Sequence, residues 1–118
     1  MELSRLRLRL YFGDQLMFGP GKADLLQGIA EEGSISAAGR RMGMSYKRAW
    51  MLVEAMNGAF REPLVESSRG GAAGGGARLT PAGYEALAHF RKLEETLHSR
   101  GAAEIAALGA MLRDTTGQ

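Results

Sequence analysis

Cysteine is absent from all 118 residues, which excludes disulfides and thiolate metal sites and suits a reducing cytoplasm. No run approaches the ~20 apolar positions that a membrane-spanning helix needs. The N-terminal MELSRLRLRL also lacks the apolar centre of a secretion signal. A soluble, cytoplasmic chain is expected. Groupings that carry catalysis are equally scarce. His89 and His98 stand nine residues apart on one expected helix, not at the three- or four-residue spacing that puts two ligands on one face. The adjacent carboxylates Glu31-Glu32 and Glu94-Glu95 make no acid/base motif. No Gly-Lys-Ser/Thr follows the glycine-rich stretch, so a phosphate loop is excluded too. Neither an enzyme nor a metal or cofactor site is expected. What the length does allow is one domain, able to bury roughly two-thirds of its unfolded surface.

The formal charge of +2 is uneven along the chain. Residues 1–33 hold four basic and five acidic side chains, and residues 82–118 hold the same numbers. Residues 34–81 hold seven basic against three acidic, so the whole excess lies in this middle segment. A local basic patch, not a total, attracts a phosphate backbone.

Leu6, Leu8, Leu10 and Phe12 alternate with Arg5, Arg7, Arg9 and Tyr11, the period of a half-buried strand. Its arginines either touch DNA or keep a strand edge from pairing with another chain. Gly13-Asp14 turns the chain, and a first helix spans roughly 20–32, with Pro20 in its first turn. Ser34 or Ser36 caps a short second helix through Met42, and Gly43 closes it in the left-handed region. Ser45 caps a third helix over about 46–60. Two short strands at 64–66 and 78–79 flank eleven residues, 67–77, of which five are glycine. Thr80-Pro81 starts a long helix, and Gly101 separates it from a final helical segment in 102–113. The expected fold is mainly α with a small β wing: a winged helix-turn-helix with a long C-terminal dimerisation helix. Residues 1–99 are assigned to a DNA-binding domain and 100–118 to a helical extension with a frayed tail.

A helix-turn-helix imposes steric conditions, and several are met within about 18 residues. Ala38-Gly39 supplies small residues where the helices cross, and Gly43 the turn. Ile35, Met42, Met44, Ala49 and Leu52 fill the wedge. At about 100° per residue, Ala49, Leu52, Val53, Met56 and Phe60 form the core face of the third helix. Recognition helices read bases mainly through their first residues, where lysine or arginine bonds guanine. The candidate DNA contacts are Ser34, Ser36, Arg40 and Arg41 on the second helix. On the third they are Ser45, Tyr46, Lys47, Arg48 and Trp50, with Arg69 and Arg78 on the wing. Trp50 either packs against the domain or meets DNA.

The combination GSIS, SYKRAW, EAMN and LVE…GG…GGGA-LT resembles the N-terminal DNA-binding domain of the molybdate-responsive ModE transcription regulators, which is related to the LysR-type winged helix. The resemblance covers most of the chain. It implies a homodimeric, sequence-specific transcription regulator of molybdenum-related genes, with Ser45, Tyr46, Lys47 and Trp50 on the recognition helix and residues 67–78 as the wing. Full-length family members continue into C-terminal domains that bind molybdate or tungstate. This sequence ends at Gln118 without them, so a stand-alone member is expected and direct molybdate binding is not. An alternative is a protein-interaction module that pairs through its C-terminal helices with a full-length regulator and modulates it. A small oxyanion-binding protein is a third reading.

Overall fold

The computed structural model describes residues 1–68 and 76–113. Its first elements are an antiparallel hairpin, β1 (Leu10–Phe12) and β2 (Leu16–Phe18), with Leu10 opposite Phe18 and Phe12 opposite Leu16. The alternation from Leu6 onward predicts a longer strand than this. Its period survives in burial, with Leu6, Leu8 and Leu10 half-buried and Arg5, Arg7 and Arg9 exposed, but residues 1–9 form no ladder. The reason is the missing partner. Gly19 and Pro20 turn the chain into α1 (Pro20–Glu32), so β2 offers only three residues to pair with.

Local capping explains the next two helices. The Ser34 hydroxyl accepts the Ala37 amide at 3.0 Å and starts α2 (Ile35–Arg41), while Ser36 lies inside that helix. The Ser45 hydroxyl accepts the Arg48 amide at 3.1 Å and starts α3 (Tyr46–Ala59). Between the helices Gly43 has φ of 73°, a left-handed value that favours glycine, and the Met44 amide donates to the Gly39 carbonyl at 2.9 Å. Gly39 is needed for a second reason. A Cβ there would lie 3.0 Å from the Cβ of Ala49, so α2 and α3 cross with no room for a side chain. α3 ends one residue before the expected boundary, because Phe60 is already extended.

Asn57 ties α3 to the strand beyond it. Its Oδ1 accepts the amides of Leu64 at 2.8 Å and Val65 at 3.2 Å, and its Nδ2 donates to the Val65 carbonyl at 3.0 Å. These bonds aim β3 (Val65–Ser68), which pairs antiparallel with β4 (Gly76–Leu79) to form the described part of the wing. The Ala77 amide donates to the Gly33 carbonyl at 2.9 Å, fastening the wing to the turn between α1 and α2. Thr80 caps α4 (Pro81–Arg100), its hydroxyl accepting the Gly83 amide at 3.0 Å and donating to the Pro63 carbonyl at 2.7 Å.

The core sits where α1, α3, the wing and the start of α4 meet. Leu25, Leu26, Ile29, Val53 and Met56 are fully buried. Phe18 packs edge-on against Phe60 at 6.2 Å and Phe90 at 5.3 Å between ring centres, closing the core under the hairpin. The fold is a winged helix-turn-helix, mainly α with two small antiparallel sheets. α4 outgrows this core. Leu87 and Phe90 are buried, but Leu93 and Leu97 are exposed, and α5 (Ala102–Ala110) buries no residue. The radius of gyration, 17.7 Å, accordingly exceeds the roughly 13–14 Å of a compact chain this long. Among the described residues no helix is long and apolar enough to cross a membrane.

Candidate nucleic-acid interface

The first turn of α3 stands on the surface because the core is filled from its other face. Ala49, Val53 and Met56 point inward, while Ser45, Tyr46, Lys47, Arg48 and Met51 are exposed. The cap on Ser45 fixes where the turn begins and so which residues project first. Lys47 and Arg48 have no carboxylate within ion-pair distance among the described residues. Their charge is therefore available to an outside anion.

On the wing side a cleft of about 320 Å³ is lined by Ser34, Ser36, Tyr46, Trp50, Ser67 and Ser68. Four of the expected contact residues thus face one space, together with two wing serines that sequence reasoning did not single out. Ser68 is partly engaged, its hydroxyl accepting the Gly76 amide at 3.3 Å. A neighbouring cleft of about 390 Å³ continues past Ser67 and Ser68 to Glu66 and Arg78. Hydroxyls and small residues dominate this surface, a composition suited to close approach of a sugar-phosphate strand. Trp50 is half-buried, packs against the core and also lines the cleft, with its ring 6.4 Å from that of Tyr46.

The arginines divide into free and engaged. Arg41 reaches back to α1, its Nη2 2.6 Å from Glu31 and its Nη1 3.2 Å from Glu32. The bonds from Gln27 and then Arg41 hold the Glu31 carboxyl below the usual carboxylate range. Arg41 therefore fastens α2 to the end of α1. Arg40 donates to the Ser36 hydroxyl at 2.8 Å, a neutral partner, and among the described residues no carboxylate pairs with it. Arg78 lies opposite Glu66 across the wing ladder, 3.6 Å apart, and both are largely exposed. Arg69 lies outside the described residues.

Two residues that position or extend this surface were not singled out in the sequence. Asn57 sets the angle of the wing, and only the EAMN motif hinted at it. Lys22, in the first turn of α1, is half-buried, and burial followed by the nearby Arg48 guanidinium pushes its pKa down. Segment charge counts hid it inside a stretch with no net positive charge. As for metals, no group of three His, Asp or Glu side chains converges among the described residues.

A sequence profile of the bacterial regulatory helix-turn-helix proteins of the lysR family matches residues 22–84, from the first turn of α1 through the wing into α4. The chain is 46% identical over 79 residues to the molybdenum-pterin-binding protein MopA of Rhodobacter capsulatus, an alignment covering 67% of this chain and 30% of that protein. It is 43% identical over 95 residues to the molybdenum transport protein ModE of Herbaspirillum seropedicae, covering 75% and 35%. To the DNA-binding transcriptional dual regulator ModE of Escherichia coli K12 it is 37% identical over 95 residues, covering 75% and 36%. The chain spans about a third of the length of these curated relatives.

Proposed function

The chain belongs to the lysR family of bacterial regulatory helix-turn-helix proteins, and on that footing we propose that it reads a specific operator as a homodimer and regulates molybdenum-related genes. The observation that carries the reading is the exposed first turn of α3. It projects Tyr46, Lys47 and Arg48 beside a hydroxyl-lined wing cleft, and among the described residues no carboxylate pairs with either cation. α3 enters the major groove, with Lys47 directed at base edges. Ser34, Ser36, Ser45, Tyr46, Arg48, Trp50 and the wing residues Arg69 and Arg78 meet the groove wall and backbone, while Arg40 and Arg41 add positive field. The names of the relatives supply the link to molybdenum. Such a regulator works on bacterial DNA and hence in the cytoplasm.

Residues 1–99 act as the DNA-binding domain and residues 100–118 follow as a helical extension and tail, of which α5 extends the dimerisation surface begun by α4. Leu93, Leu97 and Leu108 are 42%, 39% and 67% exposed, and Met111 is 82% exposed. That much apolar surface on one arm is what a second copy would cover. Direct molybdate binding by these residues is not part of the reading, and titration calorimetry with molybdate should be flat. The same arm supports a second reading, pairing with a full-length relative to modulate it.

Selection of bound sites from a random duplex pool tests the proposal. A near-palindromic site with half-sites about one turn, ~34–36 Å, apart is expected. Recovery of no enriched sequence would overturn it. Light scattering at micromolar concentration should show a dimer. Mixed dimers with a full-length relative, combined with weak DNA binding by the homodimer, would move the assignment to the second reading.

A further inference from the structure

The direction in which α3 presents each side chain follows from its period. Ala49, Val53 and Met56 are fully buried and mark its core side. At about 100° per residue, Met51 lies roughly 140–160° around the helix from all three. No other long side chain of α3 points so directly away from the core. Lys47 is four residues earlier and about 40° away, so the two share the outward side. After them the centre of that side falls to Ala55 and Gly58, with Glu54 at its edge. Met51 is 59% exposed and lies outside the core cluster. That exposure is selective. Among the described residues from α1 to β4, the large apolar side chains left exposed are Tyr46 and Met51, both on α3. Tyr46 carries a hydroxyl and lines the wing cleft beside Trp50. Met51 carries no donor for a phosphate or a base edge, only a weakly accepting sulfur.

Resting on the DNA-binding reading above, we infer that Met51 is a specificity-determining residue that packs on the C5-methyl group of a thymine in the major groove. That methyl is the one that base pairs show on the groove floor. A thioether on three rotatable bonds adapts its shape to it. The spacing also says where the thymine lies. Four residues span about 6 Å of helix axis, and successive base pairs are about 3.4 Å apart. The thymine is therefore one or two base pairs from the pair that Lys47 contacts. Lysine and methionine divide the reading, the ammonium bonding guanine and the thioether selecting thymine beside it. Contact removes the apolar surface of both the methyl and Met51 from water, and cytosine has no methyl to offer in its place.

The test takes the duplex recovered by site selection and replaces each thymine of one half-site, one at a time, by deoxyuridine, which lacks only the methyl. Wild type should lose affinity about three- to fivefold at one such position, the size expected of one buried methyl. Met51→Ala should bind the thymine duplex about as weakly as wild type binds that uridine duplex. It should also be indifferent to the replacement. Met51→Leu keeps an apolar tip and should stay sensitive to it. The free variants should melt close to wild type, because Met51 is no part of the core. A uridine loss of the same size in Met51→Ala, or no loss at any position in wild type, would overturn the inference and leave the DNA-binding reading intact. So would a much lower melting temperature of Met51→Ala, because that marks Met51 as structural. If wild type binds the selected duplex no better than a random one, the DNA-binding reading itself fails, and this inference with it.

Discussion

From α1 to the start of α4, most large apolar side chains are hidden, and several cations have no carboxylate partner among the described residues. Leu25, Ile29, Val53 and Met56 are fully buried, while Lys47 and Arg48 project into solvent. From the second half of α4 onward the pattern inverts. Leu93, Leu97 and Leu108 are exposed, and Arg91 is held by Asp24 and Glu94. The first region has the surface of something that meets a polyanion, the second of something that meets apolar protein. On the proposed reading, one chain of 118 residues separates holding DNA from holding a partner, and each half can be perturbed without the other.

The largest expected effect tests that separation on leucine. Leu25→Ala removes a side chain with 0% exposure from the centre of the core and should destabilise the domain by roughly 2–5 kcal/mol in chemical denaturation. Leu108→Ser, at a position 67% exposed, should leave denaturation at low protein concentration within about 0.5 kcal/mol. It should nevertheless weaken self-association in sedimentation. Equal losses at the two sites would mean that α5 belongs to the same core.

Next in size is the link between α3 and the wing. Asn57→Ala leaves the part-buried amides of Leu64 and Val65 without their acceptor, at a cost of about 1–3 kcal/mol. DNA affinity should fall by more than stability accounts for at temperatures where the variant stays folded, because the wing loses its aim. Asn57→Asp keeps the acceptor and loses only the donor to Val65, so its loss should be smaller. If both variants bind DNA as wild type does, the wing needs no such positioning.

A third comparison lies within the basic surface. Lys47 has no carboxylate partner among the described residues, and Lys47→Ala should lose about 1–3 kcal/mol of binding on the selected duplex if it bonds a base edge. Arg41 is already committed to Glu31 and Glu32, so Arg41→Ala should weaken DNA binding less than Lys47→Ala in the same fluorescence titration. The reverse order would mean that Arg41 leaves α1 when DNA arrives.

How much of this was readable in the sequence depends on the range of the information. Ser34, Ser45 and Thr80 reveal themselves as caps because each bonds an amide three residues away. Gly39 and Gly43 are readable because a close crossing and a left-handed turn each select glycine. The short β1 was not readable, since its length depends on where β2 stops. Asn57 was missed because the amides it accepts lie seven and eight residues on, beyond any cap pattern. Lys22 was missed because its neighbour Arg48 arrives only when α1 packs on α3. Arg41 looked like its neighbour Arg40 until the fold turned it back toward Glu31.

The smallest expected effect separates Lys22 from every other basic residue of the surface. Burial first and Arg48 second lower its pKa from 10.5, so folding disfavours the ammonium form. Below the folded-state value both folded and unfolded chains carry the proton, and the full penalty is present. As pH rises from that value toward 10.5, the folded chain sheds the proton first, so stability should rise through this window. Lys22→Met has no such group, and its stability relative to wild type should therefore fall across the same window in denaturant titrations. A flat difference between the two proteins across that window would mean that folding does not disfavour the Lys22 ammonium.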